Sequence, residues 1–197
     1  NAVKPEDIPS FSQQILADAR RMSALVDDII RLSHLDEGSG NMEQEDVDLM
    51  QIAREVVDGL QPFAAELDVS LTLTGESALM NGIAQSLNLM IQNLCDNAIK
   101  YNRKGGSVNV VIQNNDDEIL LTVSDTGIGI APELQDRVFE RFYRVDKGRS
   151  REMGGTGLGL SIVKHAAMQH NAQIDLNSIP NEGTTITIRF PKIKEIV

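Results

Sequence analysis

Residues 107–130 read SVNVVIQNNDDEILLTVSDTGIGI. Ser107 to Gln113 and Glu118 to Ser124 predict two strands, and Asn114-Asn115-Asp116-Asp117 between them predicts a tight turn. Two strands joined so closely run antiparallel. The second ends on Asp125-Thr126-Gly127-Ile128-Gly129-Ile130, an acidic residue followed at once by a glycine-rich bend.

Outward from this hairpin the pattern stays mixed. Leu49 to Leu67 predicts a helix, and Val69 to Thr74 alternates Val, Leu, Leu with Ser, Thr, Thr, the period of a half-buried strand. Ile83 to Tyr101 predicts a helix with Leu87, Met90, Ile91, Leu94 and Ala98 on one side. Pro132 to Phe139 predicts a short helix, Arg141 to Gly155 a loop, and Thr156 to His170 a further helix. Gln173 to Ser178 and Thr184 to Phe190 close the pattern as strands around Pro180-Asn181-Glu182-Gly183. The expected fold class is α+β: a two-layer sandwich with a mixed, mainly antiparallel sheet and helices on one face.

One long helix is expected before it. Ser10 with Gln13 is a candidate capping box, and Phe11, Ile15, Ala19, Met22, Val26, Ile29 and Leu32/Ser33 fall on one helical stripe widened by Leu16, Leu25 and Leu35. Gly38-Ser39-Gly40 is the expected stop. Such a helix needs partner helices to cover its stripe. Three regions follow: a helical segment over 1–40, an acidic linker over 41–48 and a catalytic or binding domain over 49–193.

Composition narrows the function. A net charge of −11 argues against nucleic acid as a partner, because phosphates must meet a basic face. A phosphate-bearing ligand would need a local site of backbone N–H groups, a metal and a few cations. The single cysteine, Cys95, has no partner for an internal disulfide, fits a reducing setting and reads as a buried thiol beside Leu94, Ala98 and Ile99. No run approaches the roughly 20 apolar residues of a membrane span. Asn1-Ala2 reads as the remnant of a cleaved tag, and on that reading a membrane part is expected upstream in a longer parent.

Three motifs carry chemistry. Asn93 and Asn97 share one face of a helix, in a place where Asn competes with the backbone. Their amide oxygens suit Mg2+, Lys100 can meet a phosphate and Tyr101 offers a ring to a nucleoside. The plainer reading is a polar helix face. Asp125 can accept a hydrogen bond from an exocyclic amine such as that of adenine, with Gly127, Gly129 and Ile130 beside it; the plainer reading is a turn. Gly154-Gly155-Thr156-Gly157-Leu158-Gly159-Leu160 can turn successive N–H groups toward phosphate oxygens at a helix start, or serve as a hinge. Its spacing fits neither a dinucleotide-binding fingerprint nor a Walker motif.

The order of the three, with Phe139-Glu140-Arg141-Phe142-Tyr143-Arg144 between the second and third, resembles the ATP-binding catalytic domain of bacterial sensor histidine kinases. These belong to the wider group of type II topoisomerases, heat-shock chaperone ATPases and mismatch-repair proteins. The resemblance covers roughly residues 46 to 193. It implies ATP and Mg2+ as cofactors, with Asn97 as metal ligand and Asn93 in support of metal and phosphates. It further implies Lys100 and Arg144 on phosphates, the latter at the γ-phosphate, Tyr101 on the nucleoside and Asp125 reading adenine. Gly127, Gly129 and Ile130 line that pocket, and Thr184 resembles another residue of it. Phe139 and Phe142 resemble anchors of an ATP lid. Gly155, Thr156, Gly157, Leu158, Gly159 and Leu160 resemble the glycine box that closes the lid.

Arg21 to Ser33 resembles the second helix of the family's dimerisation and phosphotransfer hairpin. The phosphoacceptor His and its acidic neighbour belong to the first helix, and no such stretch occurs here. The resemblance therefore implies a histidine protein kinase whose catalytic piece is not competent for autophosphorylation alone. The intact parent is expected to be a homodimer, to be anchored in the bacterial membrane with this domain in the cytoplasm, and to pass its phosphoryl group to a response regulator. His34 reads as an ordinary helix residue, and His165 and His170 as core-edge and cap residues. The alternative is a nucleotide-binding regulatory or phosphatase module. A topoisomerase-type or chaperone-type ATPase fits the lid pattern less well, and the helix before residue 40 disfavours an anti-sigma serine kinase.

Overall fold

The computed structural model of the chain describes residues 44–145 and 156–192, with residues 12, 15, 16, 18, 19, 22, 23, 25, 26 and 30 of the first segment. Those early residues are helical, and Ile15, Leu16, Met22 and Val26 of the expected stripe are exposed, as is Ile30 beside it. Phe11, Ile29, Leu32, Ser33, His34, Leu35 and the Gly38-Ser39-Gly40 stop lie outside the described residues.

The domain runs β1 (Glu45–Asp48), α1 (Leu49–Glu66), β2 (Val69–Gly75), β3 (Leu79–Gly82), α2 (Ala84–Lys100), β4 (Gly106–Asn114), β5 (Glu118–Asp125), α3 (Pro132–Gln135), α4 (Gly159–Gln169), β6 (Gln173–Ile179) and β7 (Gly183–Pro191). Five strands form the main sheet in the order β2-β4-β5-β7-β6. Among the described strands only β2 and β4 pair in parallel, and β3 and α2 make the crossover between them. The expected α+β sandwich, mixed and mainly antiparallel, is the architecture found.

Strand alternation decides which face is covered. Val108, Val110 and Ile112 of β4, Ile119, Leu121 and Val123 of β5, and Ile186, Ile188 and Phe190 of β7 are buried under the helices. Against them pack Ile52, Ala53, Val56 and Val57 of α1, Leu87, Met90, Ile91 and Leu94 of α2, and Val163, Ala166 and Ala167 of α4. The opposite face is polar and bonded across strands: Thr72 to Asn109 at 2.7 Å, Thr122 to Thr187 at 3.2 Å and Ser124 to Thr185 at 3.0 Å. With one face satisfied by side-chain hydroxyls and amides, a second helical layer is not needed.

Three boundaries correct the sequence reading. Residues 41–48 are not wholly a linker, because Glu45–Asp48 pairs antiparallel with Leu79–Gly82. Asp48 then serves as the N-cap of α1, with Oδ1 accepting from the Met50 and Ala78 amides, each at 3.0 Å, and Oδ2 accepting from Ser77 Oγ at 2.8 Å. Burial pushes the Asp48 carboxyl up, but these donors outweigh it and hold the pKa below the usual range. The helix expected over 132–139 ends at Gln135 and gives way to turns, and the last helix begins at Gly159 rather than Thr156.

His170 caps α4 as expected. Its ring Nδ1 sits 2.7 Å from the Ala166 carbonyl and its Nε2 accepts the Ile83 amide at 2.9 Å, which ties the end of α4 to the start of α2. Those two partners define the neutral imidazole with its proton on Nδ1.

Candidate nucleotide-binding site

The face of α2 that carries Asn93 and Asn97 meets the first residue of α4. Asn93 Nδ2 donates to the Leu89 carbonyl at 2.8 Å, which fixes its amide along the helix. A Cβ placed on Gly159 would lie 2.9 Å from Asn93 Oδ1 and 3.3 Å from Asn97 Nδ2. A residue with a side chain at 159 would push at least the Asn93 amide aside, so glycine lets the head of α4 rest on those two amides as they stand. The asparagine motif and the glycine box, separated in sequence by two strands and a short helix, therefore share one place in the fold. Leu158, fully buried, anchors that junction against Leu89 and Ile162. Leu160 packs against the main core, and Thr156 and Gly157 are half-buried at the approach to the helix. Gly155 lies outside the described residues.

Asp125 ends β5 opposite Thr184 of β7. Its Oδ1 accepts from the Gly127 amide at 2.7 Å and from the Thr184 amide at 3.3 Å. Burial pushes the carboxyl up, and the two amide donors pull against it. The bend after it is locked in place. Ile128 donates to the Tyr101 carbonyl at 3.1 Å, and the Asn181 amide donates to the Ile128 carbonyl at 2.8 Å. Gly129 has φ +65, and a Cβ there would stand 2.1 Å from the Ile179 carbonyl, so no other residue fits. Tyr101, the C-cap residue of α2, thus brings the end of the asparagine helix to the Asp125 bend.

Lys100 is placed differently from the two asparagines. Its ammonium pairs with Asp96 at 2.5 Å and lies 6.0 Å from the centre of the Phe63 ring on α1. Arg144 is half-buried, next to the end of the described stretch at Val145. Phe139 is half-buried, while Phe142 is exposed and has φ +64. The Phe142 amide donates to the Gly157 carbonyl at 2.9 Å, which joins the Phe139–Arg144 segment to the glycine box.

Sequence reasoning missed three residues that build this site. Asn102 follows Tyr101 and donates from Nδ2 to the Ala98 and Ser107 carbonyls at 3.2 and 3.0 Å, while its Oδ1 accepts from Thr126 Oγ1 at 3.3 Å. It clasps the end of α2 to the strand ends beneath the Asp125 bend. Gln135 donates from Nε2 to the carbonyls of Ile130 and Ser178, each at 2.9 Å. Ser178 receives the Ile130 amide at 2.8 Å. The one available signal was the position of Asn102 beside Lys100-Tyr101.

Among the described residues there is no group of three or more His, Cys, Asp or Glu able to hold a metal ion. The donors at the α2–α4 junction are neutral amides. That set is too weak to retain a bare cation, and it fits a hard divalent ion that arrives with phosphate oxygens and water as its other ligands. Tyr101 links the half-buried carboxylate of Asp125, through the Ile128 amide, to the helix that carries the paired amides at the head of α4.

Residues 82–194 match the family model described as "Histidine kinase-, DNA gyrase B-, and HSP90-like ATPase". The chain belongs to that family. It is 38% identical over 195 residues to the sensor-like histidine kinase SenX3 of Mycolicibacterium smegmatis, covering 98% of this chain and 50% of that protein. It thus spans about half the length of the curated relative. Among solved structures it is similar to the mycobacterial sensor histidine kinase MprB, with TM-score 0.66, 28% identity, and coverage of 75% of this chain and 97% of that one. The full-length ShkA structure in complex with AMPPNP shares the fold, with TM-score 0.75 at 22% identity, covering 97% of this chain and 40% of that one. The ATP-binding domain of a sensor histidine kinase, expected from the motifs, is what these likenesses support.

Proposed function

We propose that the domain binds ATP with Mg2+ and, in its intact parent, catalyses transfer of the γ-phosphoryl group to a histidine on a neighbouring helix, from which it passes to a response regulator. The observation that carries this reading is the contact of Gly159 with Asn93 and Asn97, which sets a helix head beside two amides on the side of the fold where Asp125 can read a base.

Each residue then has a task. Asp125 accepts the exocyclic amine of adenine, with Oδ1 already engaged by two amides and Oδ2 open to the ligand. Gly127, Gly129 and Ile130 shape the wall of that pocket, and Tyr101 closes it toward the nucleoside. Asn97, supported by Asn93, would hold Mg2+ through amide oxygen. When bound, the ion neutralises charge on the phosphates. The glycine box before α4 supplies N–H groups, those of Thr156 and Gly157 among them, to phosphate oxygens, with Leu158 and Leu160 as its apolar anchors. Arg144 stabilises charge on the transferred group. Lys100 exchanges Asp96 for a phosphate oxygen, a change that costs little because a partly exposed ion pair is worth only about 0–1 kcal/mol. The parent is a homodimer through its helical hairpin, is anchored in a membrane and carries this domain on the cytoplasmic side.

Calorimetric titration of ATP with and without Mg2+ tests the site, on the chain itself and on Asn97→Ala and Asp125→Asn. Binding that requires Mg2+ and weakens in both variants is the expected result. Binding indifferent to either substitution would overturn the assignment. Mixing the chain and ATP with Mg2+ with a separately supplied phosphoacceptor hairpin, and following phosphohistidine and ADP, then tests kinase activity against a purely regulatory role.

A further inference from the structure

Ser178 is 7% exposed and stands near the end of β6, opposite Thr184 of β7. Three groups meet its hydroxyl. The Ile130 amide donates to Oγ at 2.8 Å, the Gly183 carbonyl lies at 2.9 Å, and Thr184 Oγ1 lies at 2.9 Å. A serine hydroxyl has one proton and two lone pairs. A carbonyl oxygen only accepts, so the Ser178 proton goes to Gly183. The Ile130 N–H fills one lone pair of Ser178. The other can only accept, so the proton shared with Thr184 is the threonine's own.

The consequence falls on Thr184. With its proton directed at Ser178, Thr184 Oγ1 offers only lone pairs to any other group. Thr184 faces Asp125 across the β5–β7 ladder, and its amide donates to Asp125 Oδ1 at 3.3 Å. An ionised carboxylate also only accepts. The two side chains therefore form an acceptor-only pair. Gln135 holds the arrangement from behind, because its Nε2 donates to the carbonyls of both Ile130 and Ser178.

We propose that Ser178 is a specificity-determining residue: by taking the Thr184 proton it makes the base end of the site a reader of hydrogen-bond donors, so that a 6-amino purine is accepted and a 6-oxo purine is refused. A 6-amino group brings protons to the two acceptors. A 6-oxo group brings a third acceptor and leaves half-buried lone pairs facing one another. This inference rests on the reading of Asp125 as the base contact and adds a residue outside every motif of that reading.

The test compares the affinities of ADP and inosine diphosphate, which differ at the 6-position and the adjacent ring nitrogen. Both are titrated into the unaltered chain, Ser178→Ala and Thr184→Val, with thermal melting to follow the fold. Removing the Ser178 hydroxyl lets Thr184 turn and donate, so the preference for ADP should fall about tenfold. Thr184→Val removes the acceptor and leaves Ser178 bonded to Gly183 and Ile130, so it should lower the same ratio and decides the matter if Ser178→Ala does not fold. Variants that weaken both nucleotides by one factor, with the ratio unchanged, would overturn the role of Ser178 and leave the site assignment standing. An unaltered chain that binds neither nucleotide would overturn both.

Discussion

The Phe142 amide donates to the Gly157 carbonyl at 2.9 Å, so the two sides of residues 146–155 are fastened to each other. Both residues have left-handed backbones, with φ +64 at Phe142 and φ +80 at Gly157. A Cβ on Gly157 would stand 2.9 Å from the Phe142 carbonyl carbon and 3.1 Å from the Tyr143 carbonyl oxygen. Gly157→Ala should therefore break this bond or strain the backbone, at about 1–2 kcal/mol. Urea denaturation measures the loss, and amide hydrogen exchange at Phe142 should rise with it. Unchanged protection at Phe142 would show that the clasp does not depend on glycine.

Gly159→Ala probes the site more directly. The added methyl would press on Asn93 Oδ1 at 2.9 Å. Overpacking of this kind costs about 1–3 kcal/mol, part of it in stability and part in displaced amides. ATP affinity in the presence of Mg2+ should fall at least about tenfold, while the far-ultraviolet spectrum stays that of the parent. An affinity within twofold of the parent would separate the head of α4 from the phosphate end of the site.

Acid should weaken the domain through His170. Burial holds its pKa below the ordinary 6.5, and the bond to Ala166 only partly offsets this. In the unfolded chain the ring takes its proton first as pH drops, so the unfolded state binds more protons between 6.5 and the folded pKa. The neutral ring's contribution is fully present above 6.5 and is lost as pH falls through the folded value. Protonation would also set an Nε2–H against the Ile83 amide. Urea midpoints from roughly pH 8 to pH 5 should fall more steeply for the parent than for His170→Gln. Parallel curves would assign the acid sensitivity to other groups.

Cys95 should be inert in the folded chain. It is fully buried, and burial together with the Asp96 charge pushes its thiol up to about 12. At neutral pH the thiolate that alkylating agents need is absent. Iodoacetamide labelling should proceed only at the rate of global opening and should accelerate in urea. Rapid labelling without denaturant would mean that α2 separates from the sheet.

The sequence carried the parts of this fold whose signal is side-chain spacing. Asn93 and Asn97 announce a polar face because four residues make one helical turn, and Asp125 announces a strand end because glycines follow it. β1 and β3 left no such signal. Each is four residues long, Val47 is the sole buried residue of the first, and Leu79 of the second is 71% exposed. Asp48 looked like one more acid in an acidic stretch, and only the fold shows it capping α1. Gln135, Ser178 and Asn102 escaped for another reason. They act on backbone carbonyls and amides, near in sequence for Asn102 and more than forty positions away for the Gln135–Ser178 and Ile130–Ser178 bonds, and backbone atoms carry no letter. Lys100 is legible as a cation near the asparagines, but its pairing with Asp96, one turn back, holds it in a different place from theirs.

The sheet order has a bearing on how the domain comes into being. β7, last of the described strands in the chain, lies between β5 and β6 and bonds to both. During synthesis, β5 emerges from the ribosome with one edge bare, and β6 emerges with no neighbour at all until Gly183–Pro191 follows. Thr184 arrives with that same strand. A nascent chain therefore cannot assemble its base pocket piecemeal, and two unpaired edges wait in the open for a chaperone to shield or another strand to capture. Ribosome stalling just before Gly183 should yield a chain that aggregates, and release of the last strand should rescue it.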